Sequence, residues 1–224
     1  MSSACSETAP PSTGLPIVTT DSVLDVRTLF GDIDIYLFDQ ILRGRVRPGM
    51  RVFDAGCGGG RNLVFFLRQG YAVTGVDSDP AAVASMRALA DRLAPGSEPG
   101  RFRCEAIESH SFGDGSADLV VASAVFHFAR DHRHFDAMVD GAWRALAPGG
   151  LFFSRLASSI GIEDRVRPLG DGRYRLPDGS DRYLVDELRL LSLTDRLGGQ
   201  LADPLKTTIV QGQRAMTTWV VRRR

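Results

Sequence analysis

Apolar residues recur along the chain with two different spacings, and the spacing changes at turns rich in glycine and proline. Short continuous apolar runs are typical of strands buried on both faces of a parallel sheet. Segments whose apolar residues return every three or four positions are typical of helices. The strand-like runs cover 51–55, 71–76, 102–106, 118–124 and 151–157, and the helix-like segments cover 62–69, 80–93 and 131–146. This alternation predicts an α/β fold with an open, doubly wound, mostly parallel sheet.

The N-terminal part of the chain has a different pattern. Residues 1–20 are rich in Ser, Thr, Pro and Ala, a composition that predicts a disordered tail. Residues 21–44 contain two short segments with helical spacing, so we expect a helical cap there. No internal repeat interrupts 21–224, and we predict a single domain over this range.

The last third of the chain predicts an insertion and an antiparallel edge. Residues 160–185 contain Gly-Asp-Gly and Pro-Asp-Gly turns, which favour an inserted hairpin. A helix is expected over 186–197. The segments 207–210 and 215–221 are separated by a short link, which makes them an antiparallel pair.

Composition and charge narrow the class of protein. The 224 residues include 27 basic and 27 acidic side chains, so the formal net charge is zero. A neutral chain lacks the clustered positive charge that binds a nucleic-acid backbone, and no apolar run is long enough to span a bilayer. Three cysteines without paired or zinc-like spacing predict neither a disulfide framework nor a metal site. We expect a cytoplasmic monomer or homodimer with no nucleic-acid or membrane partner.

A glycine-rich segment, DAGCGGGRN, lies between the first strand and the helix that follows it. Gly56, Gly58 and Gly60 permit positive φ angles and close approach of a ligand to the backbone. A dinucleotide-binding loop is one alternative, but its third glycine would fall at Arg61. The acid at Asp54 favours S-adenosylmethionine instead, because that ligand carries an ammonium and a sulfonium, whereas a pyrophosphate would be repelled.

Asp77 ends the second strand, 21 positions after Gly56. An acid at this distance from a glycine loop is placed to accept hydrogen bonds from both hydroxyls of a ribose. The alternative is that Asp77 only caps the helix beginning near Pro80, a task that Asp79 would perform equally well.

Four segments together resemble the class I S-adenosylmethionine-dependent methyltransferases. These segments are DAGCGGGRN, VTGVDSDP, FGDGSADLVVASAVFHF and LAPGGLFF. The GCGGGRN variant also resembles the tellurite-resistance-type, small-molecule branch of that family. The resemblance implies a Rossmann-like sheet of seven strands with an antiparallel last strand, helices on both faces, and S-adenosylmethionine as the cofactor.

The resemblance also implies which residues bind the cofactor. The glycines would line the methionine part, Asp54 would lie near its ammonium, and Asp77 would bind the ribose. The end of the third strand would contact the adenine, and Ser123 would face the transferable methyl group. The implied cofactor-binding residues are Asp54, Gly56, Cys57, Gly58, Gly60, Asn62, Asp77, Ser78, Glu105, Ala106, Ile107 and Ser123.

The acceptor side is less clearly marked. His127 follows the fourth strand at a position where this family often keeps substrate-facing residues, and it is a candidate general base. The alternative is a histidine that only bonds a nearby backbone group. Candidate acceptor-binding residues are Tyr36, Phe126 and Arg155. Phe128 could also stack on an aromatic acceptor, although apolar residues at such positions are more often part of a core.

All but one of the basic residues are arginines, and several follow the fifth strand. These are Arg155, Arg165, Arg167, Arg173, Arg175 and Arg182. They suggest an acceptor with a carboxylate or phosphate, but nearby aspartates offset much of their charge, which favours a solvated hairpin face.

The function expected from these features is methyl transfer to a small molecule. A cofactor-binding module without catalysis, an RNA or protein methyltransferase and a dehydrogenase remain alternatives.

Overall fold

The computed structural model describes residues 25–96, 98 and 100–224, so the predicted tail over 1–20 lies outside the described residues. The helices are α1 (Val26–Phe30), α2 (Ile35–Leu42), α3 (Val64–Arg68), α4 (Pro80–Leu93), α5 (His132–Ala145) and α6 (Glu187–Arg196). The strands are β1 (Arg51–Ala55), β2 (Ala72–Asp77), β3 (Phe102–Cys104), β4 (Ala117–Ser123), β5 (Leu146–Ser158), β6 (Arg167–Gly170), β7 (Arg173–Arg175), β8 (Asp181–Tyr183), β9 (Gly199–Leu201), β10 (Lys206–Val210) and β11 (Arg214–Arg223). Short 3-10 turns, Ile107–Ser109 and Phe126–Phe128, follow β3 and β4. None of the described helices has the length and apolarity to cross a membrane.

The large sheet has the order β10-β11-β5-β4-β1-β2-β3, and β9 pairs with the far end of β11. Strands β1 to β5 are mutually parallel, whereas β11 runs antiparallel to β5, β10 and β9. Since β9 and β10 pair with different parts of one strand, they share one position, and the sheet has seven positions. The predicted Rossmann-like sheet with an antiparallel last strand is confirmed. Its strand order reverses between β1 and β4, which is where open α/β sheets bind ligands.

Two apolar cores lie on opposite faces of this sheet because side chains alternate along each strand. Phe53 and Phe152 point into the core formed with α5 and α6, while their neighbours Val52 and Phe153 point into the core formed with α2, α3 and α4. Helices therefore cover both faces, as the apolar patterns of the strands require.

The structure differs from the sequence expectations at three places. β5 begins at Leu146 rather than at 151, because the glycines after Pro148 are accommodated in the strand at a shift of register against β4. β3 is only three residues long. The insertion is a three-stranded antiparallel sheet, β6-β7-β8, rather than a two-stranded hairpin, because Arg167–Gly170 adds a strand.

Candidate active site

A cavity of about 880 Å³ opens at the carboxyl ends of β1, β2 and β4. The glycine loop forms one wall, and the segments that follow β3 and β4 form the opposite wall. Gly31 and Asp32, between α1 and α2, close part of the top. The cavity therefore lies where the strand order reverses, and its volume is in the range of about 300–1,000 Å³ found for small-molecule sites.

The glycine loop needs its glycines for backbone and packing reasons. Gly56, Gly58 and Gly60 all have positive φ, at 88°, 50° and 81°. A Cβ on Gly56 would lie 2.5 Å from Cγ2 of Val125, and one on Gly60 would overlap Met86. Gly58 and Gly59 have open space instead, because a Cβ added at either position would have no neighbouring atom within 4 Å. The loop thus leaves room for a ligand directly against its backbone.

Asp77 binds this loop through its side chain. One carboxylate oxygen accepts a hydrogen bond from the backbone N–H of Gly58 at 2.8 Å, and the other accepts one from Asp79 N–H at 3.0 Å. The cap of α4 is Asp79, whose carboxylate accepts from Ala81 N–H. Asp77 lines the cavity and each of its oxygens keeps a further lone pair, so its geometry suits a ribose diol.

Asp54 lies beneath the loop and is buried at 2% exposure. Burial raises the pKa of its carboxyl to about 8, Arg61 opposes that change, and Asp77 adds to it. A positively charged group beside Asp54 would favour the ionised form and lower this pKa. Asp54 itself does not line the cavity and lies directly before the glycine loop that does, so as a carboxylate it is a candidate acceptor for an ammonium only from behind that wall.

At the other end of the cavity, Ala106 and Ile107 line the wall together with Ser78. Glu105 does not line it. Its carboxylate accepts hydrogen bonds from the hydroxyl and the backbone N–H of Ser111, and the hydroxyl bond is the main reason that its pKa is lowered. The acid that lines this part of the cavity is Glu108. The remaining predicted cofactor residues on the wall are Gly56, Cys57, Gly58, Gly60, Asn62 and Ser123.

A buried network that sequence reasoning missed is centred on Asp34, just before α2. Its carboxylate accepts a hydrogen bond from Ser123 Oγ at 3.2 Å and from Arg155 Nη1 at 3.2 Å, and Arg61 Nη2 lies 3.9 Å away. Asn62 accepts from the backbone N–H of Asp34 at 2.9 Å. The one signal in the sequence was that Asp34 can cap a helix, which it does through Tyr36 N–H.

This network changes the interpretation of three predicted residues. Asn62 holds the N-terminal cap rather than only facing a ligand, and Ser123 also accepts a hydrogen bond from Arg61 at 3.0 Å. Arg155 is engaged by Asp34, so its charge is balanced within the fold. Arg61, noted in the sequence only because it stands where a glycine would, lines the cavity.

The structure separates the two phenylalanines of the turn after β4. Phe126 is fully buried and packs on Phe135 and Phe152, so it belongs to the core and not to the cavity wall. The physical reason is that a 3-10 turn has about three residues per turn, so Phe126 and Phe128, two positions apart, lie on different faces of it. Phe128 lines the cavity and is 59% exposed.

His127 and Tyr36 do not line the cavity either. His127 is buried at 8% exposure, its Nδ1 has no hydrogen-bond partner among the described residues, and burial lowers its pKa to about 4, helped by Arg182. Tyr36 hydrogen-bonds Thr208 at 2.7 Å, and Arg155 and Lys206 pack against its ring.

Within the described ranges, no group of three or more His, Cys, Asp or Glu side chains is arranged to hold a metal ion. His132 bonds the Tyr183 hydroxyl at 2.8 Å, and His134 bonds Glu108 at 3.2 Å.

Comparison with known proteins bears on this site. Residues 53–154 match the family model described as a methyltransferase domain. That range holds the glycine loop, Asp77, the strands β2 to β4 and most of β1. The fold is that of the class I methyltransferases. This match covers 102 of the 224 residues and agrees with the sequence expectation of a methyltransferase domain.

Curated relatives match about half of the chain. A ubiquinone biosynthesis O-methyltransferase of Methylobacterium sp. is 36% identical over 106 residues, which cover 47% of this chain and 40% of the relative. The chain spans about half the length, or less, of the curated relatives it matches.

Solved structures match over most of the chain. A SAM-dependent methyltransferase of Methanosarcina mazei superposes with a TM-score of 0.66 at 20% identity, covering 82% of this chain and 96% of that one. The Burkholderia thailandensis 1,6-didemethyltoxoflavin-N1-methyltransferase, with 1,6-didemethyltoxoflavin and S-adenosylhomocysteine bound, has a TM-score of 0.63 at 20% identity, covering 89% and 81%. At this identity the likeness shows the fold.

Proposed function

We propose that this protein transfers a methyl group from S-adenosylmethionine to a small-molecule acceptor. The observation that carries the proposal is the hydrogen bond between Asp77 and Gly58 N–H, because it joins the ribose-binding acid to the glycine loop at the mouth of the cavity. The family match over 53–154 and the fold support it. The relatives named for ubiquinone biosynthesis and for a toxoflavin precursor support a small acceptor.

The residues fit the cofactor in size and in charge. The open space at Gly58 and Gly59 accommodates the methionine part, buried Asp54 suits its ammonium, and Asp77 suits the ribose hydroxyls. Ser78, Ala106 and Ile107 would enclose the adenine. When bound, S-adenosylmethionine supplies a methyl group activated by a positively charged sulfur.

The protein's own contribution is to orient the two reactants and exclude water. Asp34 fastens the N-terminal cap to β4, β5 and the glycine loop, so that Gly31 and Asp32 cover the cavity. The role predicted for His127 as a general base stays a prediction. Because its pKa is about 4, it is neutral and a weak base at pH 7, and it would serve only an acceptor with an acidic proton.

Two variants of neighbouring acids test the proposal. Wild-type protein is expected to bind S-adenosylhomocysteine in titration calorimetry. Asp77→Ala is expected to weaken that binding about 100-fold, since it removes a carboxylate that would accept two charge-assisted hydrogen bonds. Asp79→Ala, which removes only the cap of α4, is expected to lower stability by about 1 kcal/mol and leave binding nearly unchanged.

Turnover of methyl-labelled cofactor with a panel of small acceptors then tests catalysis. Binding of NAD in place of S-adenosylhomocysteine would overturn the proposal in favour of a dehydrogenase. Binding without turnover on any small, RNA or protein substrate would favour a cofactor-binding module. The resemblance to the tellurite-resistance-type branch stays a prediction, which adding tellurite to the panel tests.

A further inference from the structure

We propose, on the basis of the methyl transfer proposed above, that the acceptor is a flat aromatic molecule bearing a carboxylate or phosphate. It would stack on the ring of Phe128 and pair its anionic group with the guanidinium groups of Arg130 and Arg182. We call this set of three residues the acceptor clamp.

Phe128 supplies the stacking surface. Its ring lines the cavity although it is 59% exposed, while the neighbouring Phe126 is entirely buried. The guanidinium of Arg182 lies 5.1 Å from the centre of the Phe128 ring. An exposed ring that is stacked beside a cation at the wall of a cavity is well suited to a flat, electron-rich ligand that carries negative charge.

The two arginines of the clamp differ from Arg175 and Arg155, which are paired. Arg165, Arg167 and Arg173 of the insertion also make no ion pair among the described residues, but none of them packs on Phe128. Arg175 pairs with Asp181, and Arg155 pairs with Asp34. Neither Arg130 nor Arg182 makes an ion pair within the described part of the chain. The difference follows from strand alternation: Asp181 faces Arg175 and Tyr183 enters the core, whereas Arg182, between them in β8, faces Phe128.

The acids near the clamp are already engaged. Glu108 pairs with His134 at 3.2 Å, and Asp32 pairs with Arg27 at 3.2 Å. Asp131, next to Arg130, caps α5 through His134 N–H. Asp178 interacts with Arg182 only at longer range. Asp131 likewise acts on Arg130 through space, without an ion pair. Arg130 lines the cavity, and Arg182 adjoins it through Phe128 without lining it. Two guanidinium groups that lack an ion-pair partner therefore lie near this end of the cavity, and they favour an anionic ligand.

The clamp is also in the right place for methyl transfer. Phe128 and Arg130 come shortly after β4, and the residues at the end of that strand, Ser123 and Ala124, line the same cavity as Gly56. A ligand on Phe128 thus shares one cavity with the proposed cofactor site. Asp77 and Arg130 line this cavity in different segments, after β2 and after β4, so the two ligands use different charged groups.

The experiment measures binding of matched acids and neutral analogues to protein saturated with S-adenosylhomocysteine. The probes are 4-hydroxybenzoate, phenyl phosphate, the neutral methyl 4-hydroxybenzoate and the non-aromatic cyclohexanecarboxylate. We expect at least one aromatic anion to bind about 10-fold more tightly than both the neutral ester and the non-aromatic acid.

Variants of the clamp test the residues themselves. Arg182→Gln and Arg130→Gln are each expected to weaken the binding of aromatic anions about 10-fold and to change the affinity for S-adenosylhomocysteine less than about twofold. Phe128→Leu is expected to reduce the preference for aromatic over non-aromatic acids.

Arg175→Gln is the matched control, because it removes a paired arginine from the neighbouring strand and is expected to leave acid binding unchanged. The proposal is overturned if no aromatic anion binds while S-adenosylhomocysteine does, if the neutral ester binds as well as the acid, or if Arg175→Gln has the same effect as Arg182→Gln. In those cases the cofactor assignment stands. Loss of S-adenosylhomocysteine binding by the wild type would instead remove the proposed function itself.

Discussion

The two halves of the cavity are built in different ways. On the proposed cofactor side, the glycine loop and Asp77 come from two adjacent βα turns, and each residue is held by backbone geometry or by a hydrogen bond between neighbouring turns. On the proposed acceptor side, Asp34 lies beneath the N-terminal cap, outside the cavity wall, and contacts Ser123 and Arg155, which lie 89 and 121 residues away along the chain. The first half depends on local conformation, and the second depends on the complete tertiary fold.

This contrast explains how each half responds to change. A substitution in the glycine loop acts through backbone strain at one point. Replacing the side chain of Asp34 leaves Ser123 on β4 and Arg155 on β5 without the carboxylate that accepts their hydrogen bonds. We therefore expect the acceptor half to lose more stability from a single change, although it holds fewer recognisable motifs.

The largest effect is expected for Asp34→Ala. It removes a carboxylate whose side chain is fully buried and leaves Arg155 without its partner. We expect the free energy of unfolding to fall by about 3–5 kcal/mol, measured by urea denaturation.

Asp39→Ala on the neighbouring helix α2 is the control for Asp34→Ala. Asp39 pairs with Arg43 on the surface at 2.8 Å, so its loss is expected to cost less than about 1 kcal/mol. If both substitutions lowered the free energy of unfolding equally, the buried ion pair of Asp34 would contribute no more to stability than the surface ion pair of Asp39.

The same contrast sets how much of the molecule could be predicted from the sequence. Gly56, Asp77 and the strand–helix alternation were accessible because their signals lie within one or two βα units and have a fixed period. The contacts of Asp34 and Arg182 could not be predicted in this way, because strand register and the packing of α2 determine which residues they meet. Glu105 was assigned to the cofactor from its place after β3, but only the tertiary structure shows that it turns to Ser111.

A smaller effect is expected for Gly56→Ala, which acts on the junction of the two halves. Its Cβ would lie 2.5 Å from Cγ2 of Val125, on the acceptor side, in a backbone conformation with φ of +88°. Strain and overlap together are expected to lower stability by about 2–4 kcal/mol. Gly59 has open space around it and no positive φ. In Gly59→Ala the free energy of unfolding, measured by thermal denaturation, is therefore expected to change by less than about 0.5 kcal/mol. A large loss in Gly59→Ala would contradict the packing argument.

Asp54→Asn is expected to change stability and cofactor binding in opposite directions. Since burial raises the folded-state pKa of Asp54 to about 8 from 3.8, the unfolded chain holds fewer protons between these pH values, and stability falls as pH rises through that range. Asparagine removes this dependence and is expected to stabilise the free protein at pH 7 by about 1–3 kcal/mol.

The same Asp54→Asn variant is expected to bind S-adenosylhomocysteine about 10-fold more weakly, because the carboxylate opposite the ammonium is lost. The matched ligand is 5′-methylthioadenosine, which has no ammonium and is expected to bind both proteins alike. If Asp54→Asn weakened the binding of both ligands equally, Asp54 would not interact with the ammonium.

At pH 7 the smallest effect is expected for His127, because its contribution appears only as the pH falls. Its folded-state pKa is lowered to about 4 from 6.5 by burial and by Arg182, so the unfolded chain takes up a proton at higher pH than the folded one. Stability is therefore lost as pH falls from about 6.5 towards 4. In His127→Gln this loss is absent, and the fall in unfolding free energy between pH 7 and pH 5 is expected to be smaller by about 2 kcal/mol. An unchanged pH dependence in His127→Gln would show that the imidazole reaches water in the folded protein, and the acceptor half would then be more open than its packing indicates.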